Sequence, residues 1–463
     1  MEILDLPQEL LSNILSFLDP EAIVRFGRTC KTALGFITPQ NQILWRSAFL
    51  QLFDDPNDAW VLTPGSPQAS NLEDWDWYRE LLRRRRALRA IKSKWCALNM
   101  PLPNVEDHID ALLSIVDTAK FAPTARDMAN GKLPTADDRS SSRNLLILSN
   151  TDRYRDGIES LIHDSGTIVR EKQAGPITRS VTESERGRRR PESASRLHVL
   201  FGLTFRERIQ HRARGAARRI VYDWSLSGAD NDYGPFKRDG SGCVDWTLLE
   251  GVYSVVGGNF AMVVEGHISM PQGFCFSIPH RTLVDPTNPG DWARVVGPWL
   301  GTYSFLDYAD LFTYNTWDSQ LGPRPPLDDA PEACGDLMKL DLKLDDAISS
   351  DPRLKTSLPV SPALPTLYFS GLSRAHAGVH RPSIDVRGCA SLVPGEREVR
   401  WRFIISYSGQ DQWQLEGIQP GGIRSGGVFG LWSQCDHEEN GPIGPFCYFP
   451  MELCKPTSVV LMA

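Results

Sequence analysis

The sequence predicts an α+β chain of several domains, helical at its N-terminus and mainly antiparallel β at its C-terminus. Three observations predict it. Apolar residues recur at helical spacing through the first fifty positions and again from about 75 to 119. Strict two-residue alternation appears only after about 338, in LMKLDLKL, VRWRFIISY and DQWQLEG. And 463 residues exceed what one core supports, so two or three domains are expected.

The N-terminal helices come first. Pro7 stands at a helix entry, where its missing N–H costs nothing, and Leu10, Leu11, Ile14, Leu15 and Leu18 follow on one stripe. Asp19 is placed to cap a second helix with Pro20 at its first position. Cys30, Leu34 and Ile37 carry a third, and LWRSAF sets Trp45 and Phe49 one turn apart on a fourth. Pro56 to Asn71 reads as a loop, Trp75 to Asn99 as helix, and Asn104 to Ala119 as an amphipathic helix. The seven basic residues of RRRRALRAIKSK fit a solvated face, or a strip pairing with acidic protein surface, better than a nucleic-acid site, because no aromatics interleave them. From 121 to 196 the pattern weakens to a partly disordered linker, with an ordered island at Asn144 to His163.

LHVLFGLTFRERIQHRARGAARRIVYDW reads as helix, and Val244 to Val264 as a longer one despite its glycines. Thereafter Met338, Leu340, Leu342 and Leu344 share one strand face, as do Trp401, Phe403, Ile405 and Tyr407, then Trp413 and Leu415. GVFGLWS and PFCYF add strands, and Gly409 to Asp411 marks a hairpin. Such strands with aromatic inner faces suit a barrel or a strongly curved sheet. The boundaries expected are 1–50, 51–120, 121–196 and 197–463.

Composition narrows the function. A net charge of −7 argues against nucleic acid or an anionic membrane as the main partner. The longest uncharged apolar stretch, 251–264, falls short of the roughly 20 residues that span a bilayer. Glu2 and Asp5 stand where a secretory signal would be basic, so an intracellular chain with reduced thiols is expected. Cys435, His437, Cys447 and Cys454 lack the short paired hooks of a structural zinc site, and no metal or cofactor is expected. GxSxG, HExxH and phosphate-binding glycine loops are absent from the sequence. The acidic pairs Asp307 with Asp310 and Asp436 with Glu438 and Glu439 are what chance gives an acidic chain. A catalytic barrel is therefore the weakest reading.

Leu6-Pro7, Leu10, Ile14, Leu15, Leu18, Asp19-Pro20, Val24, Cys30, Leu34 and Leu44-Trp45-Arg46 together resemble an F-box. That resemblance implies a small helical module docking on the Skp adaptor of a cullin–RING ubiquitin ligase. It implies adaptor contacts at Leu6, Pro7, Glu9, Leu10, Ile14, Leu15, Leu18 and Trp45. Gly27 and Leu34-Gly35 depart from the common pattern. DWARVVGPWLGTYSFLDYADLFTYN, LYFSG, VRWRFIISYSGQDQWQLEGIQPGG and GVFGLWS are similar to the C-terminal region of the large F-box families of mushroom-forming fungi. The W-x-G-x-Y at Trp299 to Tyr303 also resembles the barrel of animal F-box proteins that recruit cyclin D. The function implied is a non-catalytic substrate receptor. Trp299, Tyr303, Tyr308, Trp413 and Trp432, with Tyr314 and Trp317, are the aromatic candidates for holding a target protein, two or three of them at the surface. The alternative is a barrel that binds a small ligand or peptide, its F-box serving assembly.

Overall fold

The computed structural model describes residues 3–57, 75–92, 102–120, 142–149, 152–164, 192–264, 268–277, 289–375, 384–394, 398–423 and 425–456. Helices α1 (Gln8–Ser16), α2 (Pro20–Gly27), α3 (Lys31–Phe36) and α4 (Gln42–Leu52) open the chain. Asp19 does cap α2, accepting from the Ala22 N–H at 2.8 Å with Pro20 as the first helical residue. Asn41 caps α4 in the same way. Then come α5 (Trp77–Lys92), α6 (Leu102–Asp117), α7 (Arg143–Ser149), α8 (Asp152–Asp164) and α9 (Glu192–Phe201). The ordered island is thus α7 and α8. The stretches expected to be mobile on either side of it, and the predicted helix end at 93–99, lie outside the described residues.

These nine helices share one core. Leu11, Leu15, Ile23, Trp45 and Phe49 of the first four pack with Leu81 and Ile91 of α5, Ile109 and Leu112 of α6, Ile158 of α8 and Leu197 of α9. About forty residues cannot bury a core alone, and the linker helices supply the missing half. The basic run is divided: Arg86, Arg89 and Lys92 are exposed, as a solvated face would be, whereas Arg84 is buried in this joint. Arg84 is fully buried, 4.8 Å over the Phe49 ring, and pairs with Glu80 at 2.7 Å, while Arg85 and Arg89 reach back to Glu21 of α2. Burial alone would raise the Glu80 carboxyl, but the hydrogen bond to Arg83 and the charges of Arg84 and Arg83 outweigh it and hold it down at about 2.

The segment 197–224, expected as helix, is broken into the end of α9, α10 (Phe205–Ile209), a 3₁₀ turn and α11 (Gly215–Val221). A capping box at Thr204 and Glu207 restarts the chain after Gly202, whose φ of 101° ends α9. The long apolar helix α12 (Trp246–Val263) is capped by Asp245. Its glycines are not breaks: a Cβ at Gly258 would lie 2.2 Å from the Arg214 guanidinium, so glycine is what lets that side chain pass. Among the described residues no helix is long and apolar enough to cross a membrane.

A two-stranded ribbon joins β1 (Ile268–Ser269) to β11 (Lys455–Pro456). The large sheet contains β2 (Gly297–Leu306), β3 (Glu332–Cys334), β4 (Met338–Leu344), β5 (Leu367–Ala375), β6 (Ile384–Leu392), β7 (Val399–Tyr407), β8 (Gln410–Gln419), β9 (Val428–Gln434) and β10 (Ile443–Pro450). Neighbours in sequence pair antiparallel from β4 round to β10, and β10 pairs back onto β2, which also pairs with β4. The result is an eight-stranded up-and-down barrel, with short β3 alongside the far half of β2. Inward positions alternate as the pleat requires: Trp299, Leu340, Leu342, Phe369, Val386, Trp401, Phe403, Phe446 and Tyr448 form the interior core. Where two large rings meet, a neighbour is glycine; a Cβ at Gly301 would lie 2.2 Å from the Tyr448 ring. Outside, α12 and α11 lie on the wall formed by Phe429, Leu431, Cys447 and Phe449.

The outward residues of β7 hold a surprise for the alternation argument. Arg400 and Arg402 do face out, yet both are buried, because segments near 232–236 and 353–358 cover them. Arg400 lies 2.8 Å from both Asp232 and Glu416, with its guanidinium 4.6 Å over the Phe236 ring. Ion pairs thus hold this cover where an apolar pair would be usual.

Candidate functional sites

Two features of the fold leave large apolar side chains open to the outside. The first is a stripe on the N-terminal helices. Leu11 and Leu15 face the shared core, whereas Leu10, Ile14 and Phe17, at i, i+4 and i+7, are 52%, 42% and 79% exposed. Leu18, Pro7 and Glu9 are exposed beside them, and Ile3, Leu34 and Ile43 add further apolar side chains at the surface. Of the residues implied as adaptor contacts, Leu15 and Trp45 are instead buried at 1%, and Leu6 is half-buried. The Trp45 indole donates to the Thr38 carbonyl at 2.9 Å and its ring packs on Tyr78, so its part is to hold α4 against α5. Phe17, the most exposed apolar side chain of this face, lies one turn beyond Ile14 and was readable from the same period.

The second feature is the open end of the barrel. The opposite end is stoppered: Trp292, Ala293, Val295, Leu364 and Ile423 join the interior core. The Asp291 carboxylate accepts from the Val295 and Val296 N–H groups, and the Trp292 indole donates to the Pro365 carbonyl at 2.8 Å. The barrel is therefore a cup. At its mouth β2 changes partners, from β4 up to Gly301 to β3 from Ser304 onward, and Gly335 at the changeover takes the Tyr303 ring against its backbone. Beside this gap is a cavity of about 280 Å³. Tyr303, Trp413, Trp432 and Tyr448 give it aromatic walls; Met338, Ile405 and Leu415 add aliphatic ones; Asp336 and Ser373 bring polar atoms.

Each wall has a reason to stay in place. Trp432 reaches across β10, where Gly444 leaves the room, to donate its indole N–H to the Ser304 carbonyl at 3.1 Å. Trp413 stands edge-on to it at 5.2 Å and 84°, Tyr303 at 6.2 Å and 83°. Tyr407 closes the rim through a tight hairpin, Ser408 and Gly409 both at positive φ, one residue before the turn the sequence suggested. Burial pushes the Tyr407 phenol upward, and a hydrogen bond with Trp413 partly offsets this. The deeper Tyr448 phenol is raised further, by burial first and then by the neighbouring Cys447, Tyr303 and Tyr407.

Tyr303, Trp413 and Trp432 are thus gathered at one site. Tyr308 is on the rim, on α13 (Tyr308–Asn315), donating to the Asn440 carbonyl of the β9–β10 loop at 3.2 Å. Trp299 is elsewhere: 2% exposed, its indole donating to the Val295 carbonyl and its ring against Trp401, it belongs to the stopper and the core. Tyr314 is buried and donates to the Arg219 carbonyl, and Trp317 bonds within its own turn. Asp336, Ser373 and Tyr448 escaped the sequence reading. Asp336 precedes Met338 by two and so continues that strand's inward row, but only the barrel's closure says what the row faces.

The remaining candidates are structural. Asp307 caps α13 and Asp436 pairs with Arg353. Cys435 is buried in one small cluster, His437 stacks on Tyr233 at 3.5 Å, and Cys447 and Cys454 pack in the core under α12, so the four residues weighed as zinc ligands fall in different places. Among the described residues no group of His, Cys, Asp and Glu could hold a metal ion. A wider cleft of about 940 Å³ runs between α5, α6 and α9, and its lining includes ion pairs of Arg196 with Asp117 at 2.8 Å, Arg83 with Glu80 at 2.9 Å and Lys237 with Glu192 at 3.0 Å.

No curated protein and no solved structure matches this chain. One family model does, F-box-like, over residues 3–51. Helices α1–α4, with their exposed Leu10, Ile14 and Phe17, are an F-box-like domain.

Proposed function

We propose that this chain is a substrate-recognition adaptor of an SCF-type ubiquitin ligase: the F-box-like domain docks on a Skp adaptor, and through it on a cullin–RING ligase, while the barrel mouth holds a target protein. The observation that carries the reading is the pairing of a convex apolar stripe with a separate concave site through helices that share packed cores. Helix α9 joins these cores. Its Ala194, Leu197 and Leu200 belong to the helical core and its Val199 to the core under the barrel wall. Arg196 grips Asp117 of α6 with two bonds, and fully buried His198 bonds Glu250 of α12 at 2.6 Å and Glu207 at 2.9 Å. A packed spacer suits a subunit whose contribution is proximity, holding a target lysine near a ubiquitin thioester without chemistry of its own. The role places the protein inside the cell, in cytoplasm or nucleus. The likeness of the C-terminal region to fungal F-box families is in keeping with it.

A second reading, a barrel binding a small ligand that gates target choice, is favoured by the enclosure of the mouth cavity. Native mass spectrometry of the purified chain separates the two, since a retained ligand supports the second. For the main reading, the clean test is Leu10→Ala with Ile14→Ala in the full chain. Deleting the first fifty residues would also strip Leu11, Leu15, Ile23, Trp45 and Phe49 from the shared core. The double variant should lose the Skp adaptor and cullin on co-purification while keeping its melting temperature. Retention of both would reject the docking surface.

A further inference from the structure

We propose that the barrel mouth takes a cationic side chain of the target, and an N-methylated lysine in preference to a free one; this rests on the reading of the mouth as the target site. Size speaks first. The cavity of about 280 Å³ lies at the lower edge of the range usual for small-ligand sites, about 300–1,000 Å³, which is room enough for one long side chain.

Wall chemistry comes next. Trp432 is nearly perpendicular to both Trp413 and Tyr303, so three aromatic rings bound the opening from different directions, with the Tyr448 ring deeper. Aromatic faces carry negative charge density and attract a cation brought within about 6 Å of the ring. The inward row of β4 adds the Asp336 carboxylate at the rim of the cavity. The basic residue bordering the cavity, Arg374, is exposed and sits between inward Ser373 and Ala375, on the strand's outward parity. Each alternative meets an obstacle. A carboxylate or phosphate would face the ring faces and Asp336, which repel it. A neutral aliphatic chain would use the rings as plain apolar surface and leave the negative charge at the rim unused. A free ammonium holds its water strongly and would need its three N–H donors matched in a largely apolar pocket. Methylation removes those donors, keeps the charge and spreads it over soft surface that fits rings.

The test uses the full chain bound to its Skp adaptor, titrated calorimetrically with a capped Ala-Lys-Ala peptide in four forms: trimethylated, unmodified, acetylated, and with an uncharged tert-butyl group in place of trimethylammonium. The trimethylated peptide should bind about tenfold more tightly than its uncharged twin. Asp336→Asn and Trp413→Leu should each erase most of that ratio while adaptor binding, read on the same samples, stays unchanged. Equal binding of the uncharged or acetylated peptide, or no binding of the trimethylated one, overturns the proposal. Photo-crosslinking of cellular targets from the rim keeps the two claims apart. Targets captured there without any preference for the cation would leave the receptor reading standing and sink this one, whereas targets captured only elsewhere on the barrel would sink both.

Discussion

Two regions of this molecule show apolar side chains to the outside, and they do so in opposite shapes. On the F-box-like domain, Leu10, Ile14 and Phe17 stand out from a convex helix whose other side is sealed by the chain's own linker helices. In the barrel, Tyr303, Trp413 and Trp432 stand round a concavity closed at its far end by Trp292 and Val295. A convex stripe offers only what a partner's groove can cover, so it suits one constant partner. A cup selects by volume and by the few polar atoms at its mouth, so it suits discrimination. Under the proposed function, the same type of residue serves attachment in one region and choice in the other.

Substitutions can break this comparison in graded steps. The largest effect should come from Trp299→Ala, which empties the barrel interior and removes the stopper's hydrogen bond; a loss of about 3–5 kcal/mol in urea unfolding is expected, and a loss near that of a surface site would mean the cup is not closed there. Arg84→Met, at the joint between F-box-like domain and linker, should cost about 3 kcal/mol because Glu80 stays buried behind it. Leu10→Ala with Ile14→Ala should weaken adaptor binding by at least about a hundredfold with no change in stability, since both side chains are exposed. Trp413→Ala should lower target capture about tenfold and leave adaptor binding intact, the reverse of the preceding variant.

The smallest effect is one of pH. The Glu80 carboxyl goes from 4.5 to about 2 on folding. A depressed carboxyl stabilises the fold above the unfolded value and loses that contribution as pH falls through the folded one. Chemical denaturation between pH 5 and 2 should therefore show a steep acid limb that Glu80→Gln flattens. An unchanged limb would remove Glu80 from the joint's ion-pair core.

How far these features could be read from sequence depended on how local each one is. The alternation of Met338, Leu340 and Leu342, or of Trp401, Phe403 and Ile405, announces inward faces with no knowledge of the partner strand. The helical stripe of Leu10 and Ile14 is equally local. Closure is not: β10 meets β2 through Phe446 and Tyr303, far apart in the chain, and until that pairing exists the aromatics of VRWRFIISY and GVFGLWS have no common site. Trp299 shows the cost, because W-x-G-x-Y fits a stopper tryptophan as well as a surface anchor. Arg84, Arg400 and Arg402 teach the complementary lesson. Charged residues at regular spacing read as solvated, and only tertiary cover from α6 or from the segment around Asp232 turns them into buried pairs.

The most direct test of the account is site-specific photo-crosslinking in cells, with the reactive group at position 407 on the cup's rim, where Tyr407 is exposed, or at position 262 on exposed Met262 of α12, in a chain also carrying Leu10→Ala and Ile14→Ala so that captured targets are not degraded. The account predicts a protein captured from 407 and not from 262, which a reconstituted ligase containing the unmutated chain then ubiquitinates. Capture of the same proteins from both positions, or a captured protein that the ligase leaves unmodified, would contradict it.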